Sequence, residues 1–433
     1  MTFVRMALTG YRSFADRQEI ELRPITIVLG RNNSGKSALV RAPLVINSGI
    51  ATNSTAPLDL DRFGDDTLDS FTDLIYGGRP HGSIRIELDL LSVGAGQVEP
   101  TLHVDATVQN IDEYRLQLVS DTTIRVGHQT ARFTWDGVDP QPERQRYLIS
   151  RDGAAPVAGA VRFAGLLPNA VQFRDPDAST WSPRRFASSA IRAAFDEIRY
   201  LGPFRDRPAR GYRLPTRRHR TVGFSGEHTA PILASDFVRN QGRLLRQVNR
   251  MFEQSLEGWE VDVVERGALF TMILRSRNAR NLQVNLADTG TGVAQALPIL
   301  VQRAMDVLNP PSGPTLEIVE QPELHLHPAA HADLADLYLQ AATQTSVRFL
   351  IETHSETMLL RLRRRIAERV IPADLVAVYF VDQVDGTSHA HRIFIDDKGN
   401  VDYWPAGIFA EDYEETRKLA EAQLDRLERG DAD

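Results

Sequence analysis

The tightest constraint on this chain is the octet Gly30-Arg31-Asn32-Asn33-Ser34-Gly35-Lys36-Ser37, which satisfies G-x-x-x-x-G-K-[ST] at every position. Before it, Ile25-Thr26-Ile27-Val28-Leu29 reads as a buried strand; after it, Leu39, Val40, Leu44 and Val45 recur at helical spacing. Strand, glycine loop and helix in that order form a cradle for a polyphosphate. The glycines let backbone N–H groups turn inward, and the helix start adds its positive end. Lys36 is placed to neutralise the β- and γ-phosphates, and the Ser37 hydroxyl to ligate Mg²⁺. ATP and Mg²⁺ are therefore the expected ligands. Lys36, Lys398 and Lys418 are the only lysines among 50 basic residues, so a lysine here is not a product of composition.

A second candidate lies far downstream. Thr315-Leu316-Glu317-Ile318-Val319-Glu320 is an apolar strand ending in a carboxylate, followed by Gln321-Pro322-Glu323. A phosphate-loop enzyme needs one carboxylate near Mg²⁺ and commonly a second group to polarise the attacking water. Glu320 suits the metal. Gln321 stands where the base is expected, and an amide accepts no proton usefully at neutral pH. Glu323 is a substitute acting through a water.

The remaining pattern places these motifs. Alternating runs from Ser83 to about Arg162, separated by Gly, Pro, Asp and Asn, predict an antiparallel β-rich region. A helical stretch is expected over about 235–256, then strands near 259–264 and 268–275. From Thr315 strand and helix alternate, which predicts a partly parallel sheet. Glu411 to Arg429 reads as a charged amphipathic helix. The fold class expected is α/β.

Four tracts in this order resemble ABC-type ATPases of the OLD/RecF/SMC class. Asn32-Asn33-Ser34-Gly35-Lys36-Ser37 resembles the class's phosphate loop, and Glu320-Gln321-Pro322-Glu323-Leu324-His325-Leu326-His327-Pro328 its acidic segment. Asp288-Thr289-Gly290-Thr291-Gly292-Val293-Ala294-Gln295 sits where the class has its signature, and Ile351-Glu352-Thr353-His354-Ser355 resembles its switch-histidine strand end. Tyr200-Leu201-Gly202-Pro203-Phe204-Arg205 and Tyr403-Trp404-Pro405 are similar to a bacterial subgroup of stand-alone ATPases with a small C-terminal domain. The resemblance implies a P-loop ABC-type ATPase head with a mixed sheet and an inserted β-rich and helical region. It also implies an ATP sandwich of two protomers, in which Thr289 and Gly290 meet the γ-phosphate held by the partner's loop. On this reading Gly30, Asn32, Asn33, Ser34, Gly35, Lys36, Ser37 and Ala38 hold the nucleotide, Ser37 and Glu320 the metal, and His354 senses the γ-phosphate. Glu320, Gln321, Glu323 and His354 form the catalytic set. Gln321 departs from the usual base, and losing a general base typically costs about 10²–10⁴-fold in rate. Slow turnover follows, with ATP acting largely to close a dimer.

The expected organisation is an N-terminal lobe over 1–80, a β-rich insertion over 81–200, and an arginine-rich linker with helices over 201–283. A C-terminal lobe over 284–400 and a helical tail over 401–433 complete it. Arg205, Arg207, Arg210, Arg213, Arg217, Arg218, His219 and Arg220 form one basic stretch, and Arg361, Arg363, Arg364 and Arg365 another. Either is a candidate for a DNA backbone, against a net charge of −7 that argues against a globally basic coat. His325, His327 and His331 lack the spacing of a metal site and fit a dimer-contact loop better. The chain has no cysteine, which excludes disulfides and zinc thiolates. No apolar run reaches the ~18 residues of a membrane span, and a cytoplasmic protein is expected. The partners expected are a second copy through ATP, an effector such as a nuclease, and possible DNA. The functional expectation is an ATP-driven switch for a DNA-related or antiviral effector. An ATP-stabilised scaffold with negligible catalysis and a RecF-like DNA repair clamp are the alternatives.

Overall fold

The computed structural model describes residues 2–63, 70–91, 102–137, 145–173, 182–195, 197–253, 258–279, 281–405 and 411–428. Its centre is a six-stranded sheet of β3 (Ile25–Gly30), β11 (Glu197–Leu201), β15 (Thr315–Glu320), β16 (Val347–Glu352), β17 (Val376–Val384) and β18 (Thr387–Ile393), in the order β11-β15-β16-β3-β17-β18. All neighbours are parallel except β18, which returns antiparallel to β17. Every residue of β3, β15 and β16 except Arg348 is buried. Parallel strands covered on both faces read as near-continuous apolar runs, which is why these three were visible in the sequence.

The two faces follow from the alternation of side chains along a strand. Ile27, Val319, Phe349 and Ile351 pack toward α5 (Thr291–Leu308), α6 (Pro328–Gln344) and α7 (Glu356–Ala367). Val28, Leu316, Ile318 and Leu350 pack on the opposite face, toward α1 (Lys36–Ile50). The odd position Glu317 therefore faces α5, where Arg303 and Asp306 meet it in a buried ion cluster with Arg199. The even positions Glu320 and Glu352 face α1.

The second large sheet has nine antiparallel strands in the order β10-β9-β8-β7-β6-β5-β4-β1-β2. They are β1 (Thr2–Thr9), β2 (Gln18–Glu21), β4 (Ser83–Leu91), β5 (Leu102–Ile111), β6 (Leu116–Val126), β7 (Gln129–Trp135), β8 (Arg146–Arg151), β9 (Val157–Ala164) and β10 (Leu167–Phe173). The β-rich stretch beginning near 81 is thus continuous with the N-terminal strands, because β4 pairs with β1 from Thr2↔Leu91 to Thr9↔Arg85. After α2 (Ser189–Ala194) the chain enters the parallel sheet at β11. The two sheets are joined by a seam. The Tyr379 hydroxyl accepts from Glu21 N at 2.7 Å, Gln18 Oε1 accepts from Ala390 N at 2.9 Å, and Ser13 O accepts from Ser388 N at 2.8 Å. Arg392 pairs with Glu21 across the same line.

The helix expected over about 235–256 is two helices, α3 (Thr229–Asn240) and α4 (Arg243–Phe252). Gln241 and Gly242 between them are left-handed, at φ 55° and 69°. Asp236 causes the turn to close: its Oδ2 accepts from Leu244 N at 2.8 Å and Leu245 N at 3.2 Å, so a side chain of one helix caps the next. A three-stranded sheet of β12 (Trp259–Arg266), β13 (Leu269–Ser276) and β14 (Gln283–Asn285) follows, and α8 (Glu411–Glu428) ends the described chain with Leu419 and Leu424 exposed.

Candidate functional site

The glycine loop leaves β3 at its C-terminal edge, where a parallel sheet presents its loops to ligand. Asn33 and Gly35 are left-handed, at φ 62° and 97°. A Cβ on Gly35 would stand 2.5 Å from Ser13 Oγ and 2.8 Å from Ser388 Oγ, so glycine is required there both by angle and by space. Gly30 passes against the Val381 carbonyl with the same consequence. No side chain caps α1, whose N-cap is Gly35, so its first amides are left for an anion. Arg31, Asn32 and Asn33 are exposed, Ser34 is buried with Oγ unpartnered, and Ala38 O accepts from the Tyr11 hydroxyl at 3.3 Å. Lys36 is 4% exposed and folds back over the loop, Nζ donating to Arg31 O at 2.6 Å. Burial lowers its pKa, offset in part by Glu352.

Three neighbouring strand ends converge on this loop. Glu320 and Glu352 are register partners on β15 and β16. Glu320 accepts from Arg41 Nε at 2.5 Å, Arg41 Nη2 at 2.7 Å and the Tyr200 hydroxyl at 3.0 Å. Arg41 lies four residues beyond Ser37, on the same face of α1. That ~6 Å rise matches the ~4.8 Å step from one strand to the next, so Ser37 meets Glu352 while Arg41 meets Glu320. Glu352 is 2% exposed and its Oε2 has no partner. Burial and the neighbouring Glu320 raise its pKa, against the Ser37 hydrogen bond, Lys36 and Arg41, which lower it.

Past the strand ends, Gln321 is left-handed at φ 44° and donates its N–H to Glu352 O at 2.7 Å. Glu323 is buried; its Oε1 accepts from His354 N at 2.6 Å and its Oε2 is unpartnered. His354 is exposed, and partial burial and then Lys36 hold its imidazole below the ordinary value. Lys36, Ser37, Glu320, Gln321, Glu323 and His354 are therefore brought together. Thr289 and Gly290 are not: they sit at the start of α5, Thr289 Oγ1 donating to Leu286 O at 2.8 Å and Gly290 exposed. Gly292 of the same turn lies against His325 O.

One expectation about arginine is corrected. Arg205 cannot lie along a nucleic acid, because it is buried beneath the site and donates from Nη2 to Glu320 O at 3.1 Å and Gln321 O at 3.3 Å. Its own carbonyl accepts from Gln295 Nε2 at 3.2 Å, one turn into α5. Arg207, Arg213, Arg217, Arg218 and Arg220 remain exposed, and Arg210 pairs with Asp288. In the second stretch Arg361 and Arg365 are held by Asp336, Arg364 by Glu368, and Arg363 by Gly399 O. His331 bonds Ser355 Oγ and Leu326 O, and no group of three metal-capable side chains occurs among the described residues.

Sequence reading assigned no role to Glu352, Arg41 or Tyr200. The available signal was a carboxylate ending a second apolar strand, two residues before His354.

The strand bearing the histidine lies between the phosphate-loop strand and the acidic strand, and all three motifs meet at one sheet edge. That arrangement has the layout of a P-loop nucleotide site. Residues 236–359 match a family described as an AAA ATPase domain, and residues 371–419 one described as a protein of unknown function, DUF3696. No curated protein matches the chain in sequence. Among solved structures, similar chains include an SMC head bound to the C-winged helix domain of ScpA, at 13% identity and TM-score 0.49, covering 91% of this chain and 98% of that one. An SMC head domain from Thermotoga maritima has 13% identity and TM-score 0.43 over 91% and 100% of the two chains. An SMC head with an extended coiled coil, bound to the C-terminal domain of ScpA derived from Pyrococcus furiosus, has 12% identity and TM-score 0.44 over 98% and 99%.

Proposed function

We propose that this chain binds ATP with Mg²⁺, hydrolyses it slowly, and dimerises around it to switch an effector protein such as a nuclease. The effector's setting is DNA metabolism or antiviral defence, and the compartment is the cytoplasm. The observation that carries the nucleotide step is the convergence of Lys36, Ser37 and two buried carboxylates on a loop with uncapped amides. The fit to a metal rests on an orphan: Glu352 Oε2 is buried without a partner, beside a hydroxyl able to ligate a divalent ion. Ser37 and Glu320 are the proposed metal residues. Lys36 and the amides of residues 30–38 hold the phosphates, and His354 senses the γ-phosphate from the rim.

Slow turnover is supported by Gln321, an amide at the base position. Glu323 takes part in its place by orienting a water with the oxygen that His354 N leaves free. The sandwich is supported by the signature turn at half-buried Thr289 and exposed Gly290, whose described contacts do not involve its own phosphate loop. Exposed arginines at 207, 213, 217, 218 and 220 support direct DNA contact. Gln321 equally favours a second reading, an ATP-stabilised scaffold with negligible catalysis.

Calorimetry with ATP and Mg²⁺ tests the first step, and an empty titration refutes it. Sedimentation with and without ATP tests the dimer. Turnover measured alone, with DNA and with neighbouring gene products separates switch, clamp and scaffold; no stimulation by any of them leaves only the scaffold.

A further inference from the structure

A metal beside a phosphate-loop serine needs more than the serine oxygen. The hydroxyl proton must point away from the ion, into an acceptor, so that a lone pair faces the metal. In this chain the carboxylate beside Ser37 is Glu352, at the end of the strand that α1 packs against. Glu320, one strand further along, is already engaged on both oxygens, by the Arg41 fork and by the Tyr200 hydroxyl. Glu352 by contrast keeps Oε2 free and buried, and lies close enough to Lys36 for each to influence the other's charge. A buried carboxylate oxygen without a partner is costly unless something positive arrives.

We infer that Glu352 is a metal-positioning residue of the nucleotide site: it accepts the Ser37 hydroxyl proton, turns that oxygen toward the ion, and supplies through Oε2 the negative charge that Glu320 shares with Arg41. This rests on the nucleotide reading above and adds a residue to it. Side-chain parity gives the arrangement its reason. Glu352 is the even-numbered end of β16, so it faces α1 as Glu320 does, one strand nearer the loop. Arg41 keeps the two carboxylates from competing by neutralising the farther one.

The test uses the full chain, Mn²⁺ as the metal probe and a non-hydrolysable ATP analogue. Nucleotide affinity is measured in EDTA and again with Mn²⁺, and bound Mn²⁺ is counted by electron paramagnetic resonance. Glu352→Gln is expected to lower Mn²⁺ affinity by about 10- to 100-fold, in the range seen when a ligand's orienting partner is removed, a larger change than it makes in metal-free nucleotide affinity. Glu352→Asp, which keeps the charge at shorter reach, should fall between wild type and the glutamine variant. Wild-type Mn²⁺ affinity in a folded Glu352→Gln protein overturns the inference. Should that variant not fold, the Mn²⁺ anomalous peak in wild-type crystals decides: contact at about 2.1 Å or through one water supports Glu352, and a peak remote from it does not. A wild type that binds no nucleotide in either condition fails the nucleotide reading instead, so the two failures are distinct.

Discussion

Glu320 and Glu352 stand opposite one another at the ends of adjacent parallel strands, the first held by Arg41 and the second beside Ser37 with one oxygen unpartnered. Two carboxylates in register across the ~4.8 Å between strands repel unless cations separate them. Arg41 and Lys36 serve that purpose in the protein alone. The predictions below follow from how this pair is supported.

Lys36→Ala removes the only ammonium group in the loop. Its Nζ is bonded to a backbone carbonyl rather than to a carboxylate, so no buried acid is orphaned by a direct bond. The variant should melt somewhat below wild type, because Lys36 also separates the two carboxylates, and give no calorimetric heat with ATP. Unchanged affinity refutes the phosphate role.

Glu323→Gln should abolish residual hydrolysis while nucleotide affinity stays the same, read by phosphate release and calorimetry. Gln321→Glu should do the reverse and raise turnover by about 100-fold, the low end of the range for a restored base. If neither variant alters the rate, catalysis does not run through this segment.

Arg205→Met tests a relay. Arg205 ties Gln295 on the signature helix to the backbone of Glu320 and Gln321, while its Nε and Nη1 remain unpartnered. A buried cation so poorly satisfied is replaceable by an apolar chain of similar length with a stability change of about 1 kcal/mol or less. Hydrolysis should nonetheless fall about tenfold, as expected when reacting groups lose alignment. Urea unfolding and turnover, measured together, separate the two effects.

Arg303→Ala acts on stability alone. Arg303 is 1% exposed and pairs with Glu317 and Asp306 on the face turned from the nucleotide. Removing it strands buried carboxylates, at a cost of about 3–5 kcal/mol. A smaller shift in denaturation midpoint would show that Arg199 takes over.

Asp336→Asn carries a pH signature. Burial would raise the Asp336 carboxyl, but the hydrogen bond from Arg365 and the charge of Arg361 outweigh it and hold the pKa below the ordinary value. A depressed carboxylate stabilises the fold above its unfolded pKa, about 3.9, and the gain is lost as pH falls through the native value. With solvent screening the loss in the variant is about 1 kcal/mol or less at neutral pH. The gap from wild type should close below about pH 4; a gap that widens there reverses the assignment.

Much of the central sheet was legible because burial on both faces makes each parallel strand an unbroken apolar run, and because the loop after β3 has few other sequences that fit. Glu320 and His354 were found because each follows such a run. Glu352 was hidden by non-local pairing: only the register of β15 against β16 puts it level with Glu320, and no local pattern encodes that register. Arg205 misled for a similar reason. Its neighbours at 207 and 213 are exposed, and composition cannot tell the one guanidinium that turns inward. The break at Gln241 and Gly242 was masked by apolar spacing that continues across it, while the Asp236 cap that creates it spans eight residues.

The seam between the sheets gives the molecule a mechanical arm. Because Ser13, Gln18 and Glu21 are fastened to Ser388, Ala390, Tyr379 and Arg392, a tilt of β17 and β18 carries the whole antiparallel sheet with it. Eight inter-strand steps separate β2 from β10, about 38 Å at the usual spacing. A rotation of about 10° at the glycine loop would then sweep β10 through roughly 7 Å, a stroke that spin labels on the two outer strands and α6 can follow as nucleotide is added.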